Sequence, residues 1–181
     1  MMTSFAADLA FSMGEREKVD CEMIRMAIPN CEIVYKTDKK TDKLGIDYIA
    51  VLRDGATINI DAKRRRKGVR MIDGYPELAL EIWSVVPDED NQGKVGWTRS
   101  LSTNVDMILY VFDKSDWDKF YIVPFQHLRM AFEHNMLKWE KMYGVRVQEN
   151  ATWYSSCMFV PANVVLRAVA CQMAHTIEEA G

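Results

Sequence analysis

Long apolar runs are missing from this 181-residue sequence. Stretches such as Met107–Phe112 are far too short to cross a bilayer, so no membrane partner is expected. The first thirteen residues contain no basic side chain, and Asp8 interrupts their apolar stretch, so they make a poor secretory signal. Cysteine is sparse and ill-spaced for metal. Cys21, Cys31, Cys157 and Cys171 form no CxxC, and only three His could join them. No structural zinc site is expected, and reduced thiols in a cytoplasmic protein are the simplest reading. Two signatures are also absent, the phosphate-cradling GxxxxGK[ST] and the GxSxG nucleophile elbow. Gly93–Lys94–Val95–Gly96–Trp97 has two glycines but lacks the strand–turn–helix setting of a nucleotide site. His127 and His134 share a predicted helix at a seven-residue spacing with no Cys near them, and read as surface or edge residues. Finally, there is no surplus of positive charge. The net charge of −3 argues against nonspecific coating of nucleic acid, but leaves room for a local basic patch.

What is present suits one globular domain over 1–181. The composition is 49% hydrophobic and 27% charged, and a chain of this length can bury a full core without staples. No internal repeat, low-complexity segment or linker divides it. The twelve Met and five Trp are scattered, as gap-fillers in an irregular core would be.

Residues from about Phe5 to Ile28 read as a helix stopped at Pro29–Asn30. Glu15, Lys18, Glu22 and Arg25 recur on its polar face, and Met13, Cys21, Ile24 and Ile28 on its inward one. Glu32–Tyr35 is a short strand, and Lys36–Lys43 a charged loop. Ile46–Leu52 and Thr57–Lys63 form a hairpin through Arg53–Asp54–Gly55. Further strands fit Leu78–Val86, Asp106–Phe112, Lys119–Val123 and Thr152–Val160, with a short helix or irregular loop over Gly93–Ser102 and a loop around Lys114–Asp116. Helices are predicted from Pro124 to Tyr143 and from Pro161 to His175.

The hairpin register decides whether two acids meet. A two-residue loop would put Asp47 and Asp61 on opposite faces. A three-residue loop gives Gly55 the left-handed position of a bulge, pairs Leu52 with Ala56, and sets Asp47 across from Asp61. The two-residue register also leaves an acceptable apolar set, but the alternation prefers the second. It gathers Tyr48, Ala50, Leu52, Ile58, Ile60 and Ala62 on one apolar face, and Asp47, Thr57, Asn59, Asp61 and Lys63 on the other, with Ile49 and Val51 as exceptions. Facing carboxylates repel unless a cation sits between them, and hard oxygen donors with open positions suit Mg²⁺ or Mn²⁺. Lys63, two residues beyond Asp61, would neutralise a phosphate or orient an attacking water.

Asp47, the β-hairpin, and then Asp61–Ala62–Lys63 together resemble the PD-(D/E)XK nuclease superfamily, which includes restriction endonucleases and Holliday-junction resolvases. Ile46 stands where the family name has Pro. The likeness covers roughly the first 70 residues; the rest is only vaguely like phage and mobile-element proteins. It implies an α/β restriction-endonuclease-like core of helix, three-strand meander, helix and strand. A mixed central sheet would be flanked by helices, followed here by a C-terminal strand–helix extension. It also implies Mg²⁺-dependent cleavage of nucleic acid, DNA in the first instance. Asp47 and Asp61 would hold the metal, Lys63 would assist, and a homodimer is a family-level hint. Many members add an acid from the first helix. Glu17, four residues from both Met13 and Cys21, is the candidate here, the other reading being a carboxylate at the stripe's edge reaching for water.

The basic segment Lys63–Arg70 also contains Arg64, Arg65, Arg66, Lys67 and Arg70. It is either a solvated loop or a set of nucleic-acid contacts tracking the substrate backbone. The leading expectation is a metal-dependent endonuclease. Its rivals are an inert nuclease-fold protein that binds nucleic acid or a protein partner, and a structural protein in which the motif is coincidental.

Overall fold

An amphipathic helix opens the chain, and a single acid departs from its apolar stripe. This helix, α1 (Ser4–Ala27), exposes Glu15, Lys18, Glu22 and Arg25 as its spacing predicts, and buries Met23, Ile24 and Asp20. In this computed structural model, residues 4–38, 45–65, 68–101, 104–113 and 119–180 are described, with backbone alone for 4–13, 179 and 180. Most of the predicted 36–43 loop, the 114–116 loop, and Met13's side chain therefore lie outside the described residues.

Three strands follow as an antiparallel meander: β1 (Cys31–Lys36), β2 (Tyr48–Leu52) and β3 (Thr57–Arg65). The three-residue register holds at the β2–β3 turn. Ala50 pairs with Ile58, the Leu52 N–H donates to the Ala56 carbonyl (2.8 Å), and Gly55 adopts φ 85°. That φ is the left-handed conformation glycine takes at little cost. The chain then forms β4 (Met71–Ile72), the long β5 (Tyr75–Val85), β6 (Lys94–Val95) and a 3₁₀ turn at Trp97–Arg99. A hairpin, β7 (Met107–Phe112) and β8 (Lys119–Pro124), leads into α2 (Phe125–Tyr143). A second hairpin, β9 (Val145–Glu149) and β10 (Tyr154–Pro161), precedes α3 (Ala162–Ala180).

The strands form two sheets. The first has the order β1–β2–β3–β7–β8 and is mixed, because β3 and β7 run parallel while the other neighbours are antiparallel. The second has the order β4–β5–β10–β9, with β6 added to β5. The helix that the resemblance implied between the meander and the parallel strand is not what links β3 to β7. Among the described residues that crossover holds β4, β5, β6 and the 3₁₀ turn, and the next α-helix follows the β7–β8 hairpin. The reason is in the alternation of Tyr75–Val85, which buries Leu78, Leu80 and Ile82 on one face with a period of two.

Each face of the first sheet meets its own core. Tyr48, Ala50, Ile60, Leu109 and Val111 pack under Met23 and Ile24 of α1 and Ile28 just beyond its end. On the other side, Ile108, Tyr110 and Phe112 join Leu78 and Leu80 of β5, Phe132 and Trp139 of α2, and Val165 of α3. Burial on both faces accounts for the unbroken apolar run of β7. It also explains the exception at Ile49, which packs against the second core. Strand β9 was invisible in the sequence because all five of its residues are exposed at a sheet edge, so burial imposes no alternation on it. Among the described residues no helix is long and apolar enough to cross a membrane.

Candidate functional site

Strand β3 extends two residues past Lys63, and this turns the basic run from a loop into a two-faced ladder. Lys63, Arg64 and Arg65 pair in parallel with Tyr110, Val111 and Phe112 of β7. Successive side chains therefore leave on opposite faces. Asp61, Lys63 and Arg65 share one face, where they line a cleft of about 630 Å³. The opposing wall is the outer face of the second sheet, with Ala79, Glu81 and Cys157, while Lys94, Val95 and Trp97 border it. The two sheets meet where the Tyr110 hydroxyl accepts the Ala79 N–H (2.8 Å), at a point on β5 that neither β4 nor β6 covers.

Asp61 and Lys63 form an ion pair, Nζ to Oδ2 at 2.7 Å, and the ammonium lies 5.7 Å from the Trp97 ring centroid. The Asp61 side chain is only 11% exposed, so the carboxylate sits at the floor of the cleft. Asp47 approaches along the backbone. Its N–H donates to the Ile60 carbonyl (2.9 Å), although Ile60 is already the partner of Tyr48, and its Oδ2 accepts the Ala62 N–H at 2.7 Å. The Asp47 carboxylate is thus held against the peptide that follows Asp61.

The other predicted site residues divide by face. Arg64 points toward α1, where its guanidinium bridges Asp20 and Asp113; the Asp113 contact is 2.5 Å. Burial works against that charge, but the two carboxylates outweigh it and hold the Arg64 pKa above its ordinary range. Arg64 is thus engaged in an internal bridge rather than presented to a ligand. Tyr48 completes the group by donating its hydroxyl to Asp20 (2.8 Å), and burial, followed by that bond, raises its pKa. Glu17 is half-buried on α1, which packs over the face opposite to Asp61 and Lys63. The acid of α1 that reaches β3 is Asp20, one turn further along. Arg70 holds the fully buried Glu77 with its Nε at 2.9 and 3.0 Å from the two carboxylate oxygens. Arg66 and Lys67 lie outside the described residues.

Sequence reasoning missed Glu81. Its Oε2 accepts the Trp97 N–H (3.1 Å) and the Ser84 hydroxyl (2.6 Å), and so ties the 3₁₀ turn to the cleft wall. Gly96 makes this possible, since a Cβ there would stand 2.3 Å from the Glu81 carbonyl oxygen. The available signal was Glu77 and Glu81, which fall on one face of an otherwise apolar strand. Cys157 also lines the cleft. Burial, then the Glu81 charge, pushes its thiol up to about 11, so it stays protonated at neutral pH and is a poor nucleophile.

Among the described residues no three His, Cys, Asp or Glu side chains are grouped as a ready metal cage. Mg²⁺ does not require one, because it keeps several waters and is commonly held by one or two carboxylates plus substrate phosphates. The hard oxygens of Asp61 at the cleft floor fit that demand, and Asp47, just before β2, brings its carboxylate to the Ala62 N–H of the next peptide. No family model, curated protein or solved structure matches this chain.

Proposed function

We propose that this protein is a metal-dependent nuclease that hydrolyses phosphodiester bonds of nucleic acid, DNA first among them, in the cytoplasm. The observation that carries the reading is the Asp61–Lys63 pair at the floor of a cleft, with the Asp47 carboxylate docked on the intervening Ala62 peptide. The mixed sheet, with its meander and a parallel fourth strand, is compatible with the core expected from the resemblance.

Asp61 and Asp47 would hold Mg²⁺ or Mn²⁺. When bound, such an ion supplies charge stabilisation on phosphate oxygens and a water nucleophile at neutral pH. Lys63 would do two things. Its ammonium neutralises the negative charge that gathers on the phosphate, and its bond to Asp61 keeps it fixed so that little reorganisation is needed. Trp97, lying over that ammonium, limits the water around it. Arg65 on the same face would hold the adjoining phosphate.

The test is a cleavage panel of single-stranded, duplex and branched DNA and of RNA, with Mg²⁺ or Mn²⁺, run beside Asp61→Ala. Cutting by the parent protein and none by the variant supports the reading. No cutting of any substrate leaves the inert binding module as the better account.

A further inference from the structure

We propose that the cleft takes an unpaired strand of nucleic acid rather than a duplex, an inference that rests on the nuclease reading of the same site. Depth is the first argument. The Asp61 carboxylate is at the floor, with the β3 face on one side, the outer face of β5 and β10 on the other, and exposed Lys94 and Val95 at the rim. At about 630 Å³, the cleft falls in the ~300–1,000 Å³ range of small-molecule sites. A duplex is stiff over about 50 nm, so bringing one of its phosphates to such a floor requires bending or kinking it, at a cost in deformation energy. A single strand avoids that cost, because its nucleotides splay independently.

The lining is the second argument. Strand-tracking sites combine aromatic platforms with cations spaced along the backbone. Trp97 lies beside Lys63 inside the cleft, and Arg65 lines it too. The row of cations then continues beyond the cleft. Arg65 and Arg146 approach the same Phe159 ring, with guanidinium carbons 4.8 and 4.6 Å from its centroid. Arg146 comes from the exposed edge strand β9 and keeps 45% of its side chain in solvent. Arg70 joins them through Glu77, which lies 3.9 Å from Arg146. Arg70 and Arg146 both face the one buried carboxylate of Glu77, and Arg65 shares the Phe159 ring with Arg146, so this stretch carries local positive charge on a protein whose net charge is −3. The strand would run from Trp97 and Lys63 past Arg65 toward Arg146, with a base against the indole.

The experiment is fluorescence anisotropy with a labelled DNA strand of about twelve nucleotides, its RNA counterpart, and the matching DNA duplex, in EDTA and with Mn²⁺, followed by cleavage of the same probes. We expect a single strand to bind more tightly than the duplex. Trp97→Ala should weaken strand binding about fivefold or more, and Trp97→Phe should restore most of it. Arg146→Gln should weaken it too, with the circular dichroism spectrum unchanged. Equal or tighter binding and cutting of the duplex would overturn the proposal and leave the nuclease reading standing. Strand binding that depends on Trp97, without any cleavage, would uphold the cleft assignment and sink the nuclease reading. If no probe binds, or if strand binding ignores both Trp97 and Arg146, the proposal fails.

Discussion

Arg64 Nη1 lies 2.5 Å from Asp113 Oδ1, joining the end of β3 to the residue that follows β7. With Asp20 on its other nitrogen, this arginine pins α1 and two strands of the mixed sheet at one point.

Neighbouring arginines should therefore behave as different residues. Arg64→Ala leaves the almost fully buried Asp20 without its countercharge, and breaking such a pair typically costs about 3–5 kcal/mol. Urea denaturation should show that loss, while the salt dependence of nucleic-acid binding by the folded fraction stays as it was. Arg65→Gln gives up a hydrogen bond to the Gly68 carbonyl and a place on the Phe159 ring but leaves no buried charge unpaired, so it should cost less stability than Arg64→Ala. The slope of log K against log salt should fall by about 0.7–0.9, the value of one phosphate contact. Equal effects from the two would mean that the alternation along β3 does not sort them.

Two glycines should also part company. Gly55→Ala meets open space but must hold φ 85°, so it should cost about 1–2 kcal/mol and leave activity per folded molecule intact. Gly96→Ala has an ordinary φ but drives a Cβ to 2.3 Å from the Glu81 carbonyl oxygen. The 3₁₀ turn must then move away from β5 and carry Trp97 off Lys63. We expect a stability loss of about 1–3 kcal/mol, together with a fall in cleavage rate that Gly55→Ala does not share. Thermal melts paired with cleavage assays check both.

Much of this geometry was legible in the sequence. Alternation, with Ile49 and Val51 as its exceptions, favours the register of β2 on β3 and puts Asp61 and Lys63 on one face, and the three-residue turn of that register sets Gly55 left-handed. The choice of the acid on α1 did not follow. Glu17 and Asp20 both lie near the apolar stripe, and the sequence alone does not reveal that Tyr48 and Arg64 wait beneath one of them. The reach of β3 was hidden for a related reason. A run of consecutive basic residues looks like a solvated loop until β7 is known to pair alongside it.

Stability should fall at high pH. Burial raises the Cys157 thiol from 9.0 to about 11 and the Tyr110 phenol from 10.0 to about 12. Both groups are neutral in the fold and ionise more readily once unfolded. Their contribution is fully present below about pH 9 and is lost as pH rises through 11 to 12. Urea midpoints measured from pH 8 upward should decline beyond pH 9, and Cys157→Ala should make that decline shallower. An unchanged slope in the variant would show that the thiol is not held neutral by the fold.

The last prediction concerns the signs of two binding effects at the cleft floor. Asp61→Ala removes a negative charge facing the substrate phosphates and, on the proposed reading, a ligand of the cation. Cleavage should drop at least about a hundredfold, as when one electrostatic element of a preorganised site is removed. Binding measured in EDTA should tighten. Lys63→Ala removes the partner charge 2.7 Å away, so cleavage should fall as well, but binding in EDTA should weaken. Were the pair only a structural ion pair, each substitution would shift the urea midpoint and leave affinity alone. Opposite changes in affinity with similar midpoints separate a site that meets phosphate from one that merely closes a cleft, and anisotropy in EDTA reads the difference without relying on turnover.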